Sequence, residues 1–440
     1  MNSAIIRTAL CVLSALVWPL QAASPSGNAD KRGSYTVQTS VNAQYNYHVL
    51  VPESYTPEKG AGIHLFFHGQ GKGPGIESLK QWGKDFCEPH RLIAINMQYL
   101  DGDNQTDTAA KLKAAMQAVE QVMADYHVIP GRGIIASHSG GGMPHALFYV
   151  QHANDRPGPT WPFSCSALYG SNFWTRFRFQ DNRNYHADTT ITPTRDLCWF
   201  VGLGEKEWPM GGPPLAVTQI KCARDLFAGT GRAGFDLVFR VEKDKGHSIS
   251  QGDRQAAAAL FRRHDLACDP FVYEPQFTDP EVRPQAQRAN QLQLGPVLAA
   301  LTRTLAKDKL KDETRKQAEL LKSLVDERAA AVLALGAELA EKDPLLFINY
   351  QKQLDTQLKG TPQEAAWKET SQAFAKKWSK PKVGSAAQML SQMFPQLFTP
   401  AMPGVPTQSI NSLQSMIPVL GPDSSYGKMI AEWLELAPRS

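Results

Sequence analysis

The chain has 440 residues, 42% of them hydrophobic and 20% charged, with a formal net charge of +4. At roughly 100–200 residues per domain, this length accommodates two or three domains, and the balance is that of a globular chain able to build a core. So small a net charge, with no dense Lys/Arg block, excludes a nucleic-acid binder of the strongly basic kind.

The N-terminal stretch MNSAIIRTALCVLSALVWPLQAASP combines a basic residue at Arg7, an apolar run from Ala9 to Leu20, and small residues at Ala22 and Ala23. This pattern predicts a secretory signal peptide over residues 1–22. The run falls short of the ~20 apolar residues a membrane span needs, and no later segment reaches that length. The mature chain is therefore expected to be secreted or periplasmic, with no stable membrane insertion. Beyond Cys11, the chain carries Cys87, Cys165, Cys198, Cys222 and Cys268, an odd number that leaves at least one without an intrachain bridge. No pair has metal-ligand spacing, and neither a metal nor a cofactor is expected. Cys165 and Cys198 each open an apolar run and read as buried small hydrophobes. Cys222 with Cys268 is the candidate bridge.

From residue 35 to 270, short apolar runs alternate with amphipathic stretches. YNYHVLVP (residues 45–52), GIHLFFHG (62–69), LIAINMQ (92–98), GIIAS (133–137), SCSALYG (164–170), CWFVGLG (198–204) and FDLVFRVEK (235–243) read as strands. Residues 108–126 and 214–227 have apolar residues at helical spacing. Strands alternating with helices imply a mostly parallel sheet covered on both faces.

Residues 271–290 are rich in proline and polar side chains and read as a linker. Residues 291–440 read as a separate, mainly helical region. Residues 311–343 mix charges with a Leu/Val/Ala stripe, and residues 345–378 read as two helices around a KGTP turn, similar to a single hairpin of a tetratricopeptide repeat. From Pro381 the composition of Pro, Met, Gln and Ser predicts loose packing as far as residues 426–436. The helical region is open to a protein partner. A chain ended near Pro284 is expected to keep a folded hydrolase half.

The chemistry gathers around GIIASHSGGG, residues 133–142. A strand, a tight turn and a helix in succession hold a serine hydroxyl clear of a sheet, and small residues on either side let the turn close. The usual pattern is G-x-S-x-G. Here Ser139 takes the serine position and Ser137 replaces the first glycine, so Ser137 is a second, less favoured candidate. A serine hydroxyl needs a base, and the base an orienting acid. GLGEKEWP places Glu205 just past a strand, with Glu207 as the alternative carboxylate, and KGHSIS places His247 past the last strand. The order Ser139, Glu205, His247 is that of an α/β-hydrolase triad. The oxyanion hole would draw on the backbone N–H of Gly140 and of Gly69 or Gln70. His138, Trp174 in an aromatic insertion, and Trp208 are candidate substrate-binding residues.

On the motifs HG (residues 68–69), SHSGGG (137–142), GLGEKEWP (202–209) and GHSIS (246–250), the region 40–268 resembles the α/β-hydrolases, and among them is similar to secreted esterases of the polyhydroxybutyrate-depolymerase and feruloyl-esterase kind. In those a G-x-x-D-x-x-x-P stretch carries the acid, which Glu205 and Pro209 match with Glu in place of Asp. The resemblance covers about half of the chain and implies a serine hydrolase of carboxylic esters, taking a small or polymeric ester substrate. Two other readings stay open: a serine peptidase of prolyl-oligopeptidase type, and a non-catalytic binding or scaffold protein on a hydrolase fold.

Overall fold

The computed structural model describes residues 27–28, 31–41, 45–69, 73, 75–98, 108–142, 144–145, 163–170, 198–207, 236–397 and 407–435. The expected signal peptide (residues 1–22), Cys222, the helix at 214–227 and the aromatic insertion lie outside them.

Eight strands form one sheet: β1 (Gly33–Gln38), β2 (Asn46–Val51), β3 (Ala61–Phe67), β4 (Leu92–Gln98), β5 (Val128–His138), β6 (Cys165–Tyr169), β7 (Cys198–Gly204) and β8 (Asp236–Glu242). Their order across the sheet is β1-β2-β4-β3-β5-β6-β7-β8. The β1–β2 and β2–β4 pairs are antiparallel, and every pair from β4 to β8 is parallel. The inner strands read as unbroken apolar runs because helices cover both faces; β3 and β7 are buried along their whole length.

Strand alternation sorts the side chains between the two faces. In β7, Cys198 and Phe200 point to one face, and Trp199, Val201 and Leu203 to the other. The first face is covered by α1 (Ile76–Trp82), the turns that follow it, and α3 (Gln251–Cys268). On the second face α2 (Thr108–Asp125) packs on β2 to β5, around Val49, Ile63, Leu65 and Ile95. Eight further helices follow: α4 (Arg283–Asn290), α5 (Leu294–Leu305), α6 (Asp312–Lys342), α7 (Pro344–Leu358), α8 (Glu364–Lys377), α9 (Lys380–Leu397), α10 (Thr407–Leu420) and α11 (Ser425–Glu435).

These helices are not separate from the sheet. One continuous core joins Leu168, Trp199, Val201, Leu203, Leu237, Phe239 and Val241 to residues from α4 through α11. The expected linker is part of it: Val272, Phe277, Val282, Ala286 and Ala289 are buried there. The described residues after Pro381 are likewise helical and packed, with Val383, Leu390, Leu413 and Leu420 in the same core. Its apolar residues recur at helical spacing, and that periodicity prevails over the Pro- and Ser-rich composition.

The seam is also polar and satisfied. The last carbonyls of α3 have no partner within their own helix. Arg328 on α6 donates to the carbonyls of Asp265 and Asp269, and Gln357 on α7 to those of Leu266 (3.1 Å) and Ala267 (2.9 Å). Tyr350 donates to Asp236, which also holds Arg263. Among the described residues, Met389 is the one large hydrophobic side chain left exposed.

Candidate active site

β5 runs to His138, and Ser139 turns sharply with φ 52°. A non-glycine residue in this left-handed region carries strain of about 1–3 kcal/mol and persists where the surroundings enforce it. A short 3₁₀ turn over Ser139–Gly141 follows. Gly69, just after β3, lies against the elbow: a Cβ added there would come within 2.8 Å of Ser139 Cβ. Only glycine lets these two strand ends meet. With this elbow at the end of β5, the central strand of the parallel run, the architecture is settled. This is the α/β-hydrolase fold.

Ser137 is fully buried in β5, where its Oγ lies 2.9 Å from His145 Nδ1. His145 Nε2 in turn meets Ser166 Oγ at 3.0 Å. That chain ties the first helical turn after the elbow to β5 and β6, and keeps Ser137 away from any substrate. Ser139 is half-buried and stands at the strand tip.

His247 sits in the loop from β8 to α3. Its Nδ1–H donates to Glu207 Oε2 at 2.9 Å. The other oxygen of Glu207 accepts the Gly204 N–H at 2.8 Å, and the residue is 1% exposed. Glu205, the carboxylate expected to orient the histidine, points elsewhere and accepts the Asp244 N–H at 2.9 Å. The reason is local: residues 205–207 form a 3₁₀ turn. At about 120° per residue, side chains two apart diverge, so Glu207 faces inward and Glu205 faces the neighbouring turn. Gly170, at φ 54°, closes the end of β6 over this pair; a Cβ there would lie 3.0 Å from the His247 ring and 3.1 Å from Glu207 Oε2.

The loop carrying His247 is anchored at both ends. The Lys206 N–H donates to Lys245 O at 2.9 Å. Lys245 Nζ forms a buried ion pair with Asp253, and Ser250 and Asp253 close a reciprocal capping box at the start of α3. The carboxylate on His247 is thus Glu207, the alternative of the two, while the Lys245–Asp253 anchor has no counterpart among the roles read from sequence. The signal for the anchor was present as S-x-x-D opening an apolar helical run.

His138 stacks on His247 with ring centroids 4.7 Å apart. Burial, and next the charge of His247, push its imidazole down to about 4. His68 donates Nδ1–H to Gly69 O at 2.6 Å, and burial pushes it to about 4 as well. Both are neutral rings beside the elbow at neutral pH. Gly140 lies in the first turn after Ser139, where backbone N–H groups are unspent by helix bonding. Gln70, Trp174 and Trp208 lie outside the described residues.

Cys165 and Cys198 are not two buried thiols. They form a disulfide between directly paired positions of β6 and β7. Their apolar surroundings hid the pairing, since strand register brings them together across 33 residues. Cys268, the expected partner of Cys222, is half-buried, and Cys222 lies outside the described residues.

No family model and no curated protein matches the chain. Among solved structures it is similar to an IroE-like serine hydrolase from Shewanella oneidensis, with 13% identity and a TM-score of 0.40 over 67% of this chain and 99% of that one. An acetyl xylan esterase from Aspergillus awamori is similar at 13% identity and a TM-score of 0.36, over 52% and 99% of the two chains. A Bacillus cereus carboxylesterase is similar at 11% identity and 0.36, over 51% and 100%.

Proposed function

We propose that the chain is a serine hydrolase of carboxylic esters, working through an acyl-enzyme, with Ser139 as nucleophile, His247 as general base and Glu207 as the orienting acid. The observation that carries this reading is the buried Glu207–His247 bond at 2.9 Å, set beside a serine in a left-handed elbow. With its Nδ1–H committed to Glu207, neutral His247 has its lone pair on Nε2, the form a base needs. Ser139 Oγ attacks the ester carbonyl as its proton passes to His247. The oxyanion is met by the Gly140 N–H and by backbone N–H at the end of β3, following Gly69. His247 then gives its proton to the leaving alcohol. Water, activated by the same histidine, releases the acid in the second half-reaction.

The compartment is part of the proposal: a mature chain outside the cytoplasm, which the Cys165–Cys198 bridge supports. The substrate is a small or polymeric carboxylic ester. The test is to incubate the folded protein with a fluorophosphonate probe and map the label by mass spectrometry. Labelling of Ser139, lost in Ser139→Ala, is expected. Folded protein that stays unlabelled would instead point to a hydrolase fold serving as a binding scaffold.

A further inference from the structure

At the opposite ends of β6 and β7 from the elbow lies a second cluster of reactive side chains. Cys165 Sγ, Cys198 Sγ and a ring nitrogen of His264 all lie within 4.8 Å of one another. His264, on the last turns of α3, is 2% exposed, and its Nε2 is a buried atom with no hydrogen-bond partner. Asp269 Oδ1 lies 3.4 Å from that nitrogen. Ser164 Oγ–H donates to the other oxygen, Oδ2, at 2.6 Å and lies 3.9 Å from Cys165 Sγ.

A buried imidazole nitrogen without a hydrogen-bond partner is costly; this ring lies among two sulfurs, and its Nε2 faces the Asp269 carboxylate. The spacing suits a metal. With zinc bonds to N and O of about 2.0–2.1 Å, a tetrahedron has an N–O edge of about 3.4 Å. His264 Nε2 and Asp269 Oδ1 already stand at 3.4 Å, with Ser164 fixing the carboxylate from behind as outer partners of metal ligands do. Two thiolates would complete the four ligands of a closed structural site.

We propose that, with the disulfide reduced, Cys165, Cys198, His264 and Asp269 form a zinc site, so that β6 and β7 are tied either by a disulfide or by a metal. The chemistry balances. A dithiol reductant gives two electrons and two protons to the Cys165–Cys198 bond, leaving two thiols and an oxidised reductant. Zn²⁺ then binds both sulfurs as thiolates and releases two protons. The inference is independent of the esterase reading, because none of its ligands belongs to the elbow.

The probe is Co²⁺ added to the full-length protein under argon, with the disulfide intact or reduced by a phosphine and the thiols counted by alkylation mass spectrometry. The reduced protein should show thiolate-to-cobalt charge-transfer and tetrahedral ligand-field bands, saturating near one Co²⁺ per chain and erased by Zn²⁺. The oxidised protein should show neither. His264→Ala should weaken binding at least tenfold, with folding checked by circular dichroism. Reduced, folded protein without these bands overturns the proposal, as does an unchanged affinity in His264→Ala. If reduction alone unfolds the chain, added Zn²⁺ should restore the fold, and failure to do so overturns it equally.

Discussion

Exchanging Glu207 for glutamine changes one atom of the site and reverses its polarity. Glu207 accepts two hydrogen bonds, from His247 Nδ1–H at 2.9 Å and from the Gly204 N–H at 2.8 Å. Glutamine has one carbonyl for these two donors. If its NH₂ faces His247, the ring must accept there and carry its proton on Nε2, where it cannot take one from Ser139. If its NH₂ faces Gly204, a buried N–H loses its acceptor at a cost of about 1–3 kcal/mol. For comparison, the Asp→Asn exchange in a serine-protease triad lowers kcat by ~10⁴. A loss of about 10³–10⁴ in kcat is therefore expected, equivalent to ~4–5.5 kcal/mol of transition-state stabilisation. Glu205→Gln keeps an acceptor for the Asp244 N–H on an exposed turn, so kcat/KM should change less than about threefold. Steady-state hydrolysis of p-nitrophenyl butyrate by both variants, with melting curves to confirm folding, separates the two carboxylates. A Glu207→Gln enzyme within tenfold of the parent, or a collapse in Glu205→Gln instead, would refute the assignment.

Ser139→Ala should abolish ester hydrolysis with little change in melting temperature, whereas Ser137→Ala, which strips His145 of a buried partner, should cost about 1–3 kcal/mol of stability and spare most of the rate. Burial holds His64, His68, His90 and His138 near 4 against about 6.5 when unfolded. The unfolded state binds more protons between those values, so stability is full above 6.5 and is lost as pH falls toward 4, by about 2 kcal/mol per histidine at pH 5. Calorimetry against pH should show this, and His64→Phe, which replaces a ring lacking hydrogen-bond partners, should flatten the slope; an unaltered slope would contradict it. Replacing both Cys165 and Cys198 by serine opens a loop of 33 residues and should lower stability by about 4 kcal/mol on the chain-entropy account, read from denaturant midpoints. A chain ended at Pro284 should precipitate or show no thermal transition, since Trp199, Val201 and Phe239 would lose the helices they pack on; a soluble, cooperatively melting product would show the halves to be independent.

Much of the sheet was legible because its strands are continuous apolar runs bounded by turn residues. LIAINMQ and CWFVGLG match β4 and β7 residue for residue. The elbow was legible for the same local reason: a strand running into S-x-S-G-G-G leaves few other conformations. What escaped the sequence depends on relations across the chain. The choice between Glu205 and Glu207 turns on the rotation per residue of a three-residue 3₁₀ turn, which composition does not encode. The Cys165–Cys198 bridge depends on the register between β6 and β7. The unity of the two halves was hidden because residues 271–290 look like a linker by composition. Their apolar members are few, yet Val272, Phe277 and Val282 are each buried.

The helical half also bears on where the proposed base, His247, is held. β8 ends the sheet, and an uncovered edge strand leaves a row of unpaired backbone groups and a mobile margin. Here α11 packs on β8 through Trp433 and Phe239. Arg240 on β8 is gripped by Glu432 of α11 at 2.7 Å, and the same guanidinium lies 3.5 Å from Asp253 Oδ1. Asp253 Oδ2 takes Lys245 Nζ and the Ser250 N–H, the two anchors on either side of His247. An unbroken ionic path thus runs from the last helix to the loop that presents the imidazole. At the far end of α3, Arg328 and Gln357 cap the carbonyls of the same helix. The C-terminal helices therefore fix α3 at its end and β8 along its edge. These are the two elements between which the His247 loop is strung, and so the region that holds none of the proposed triad sets the position of one of its members.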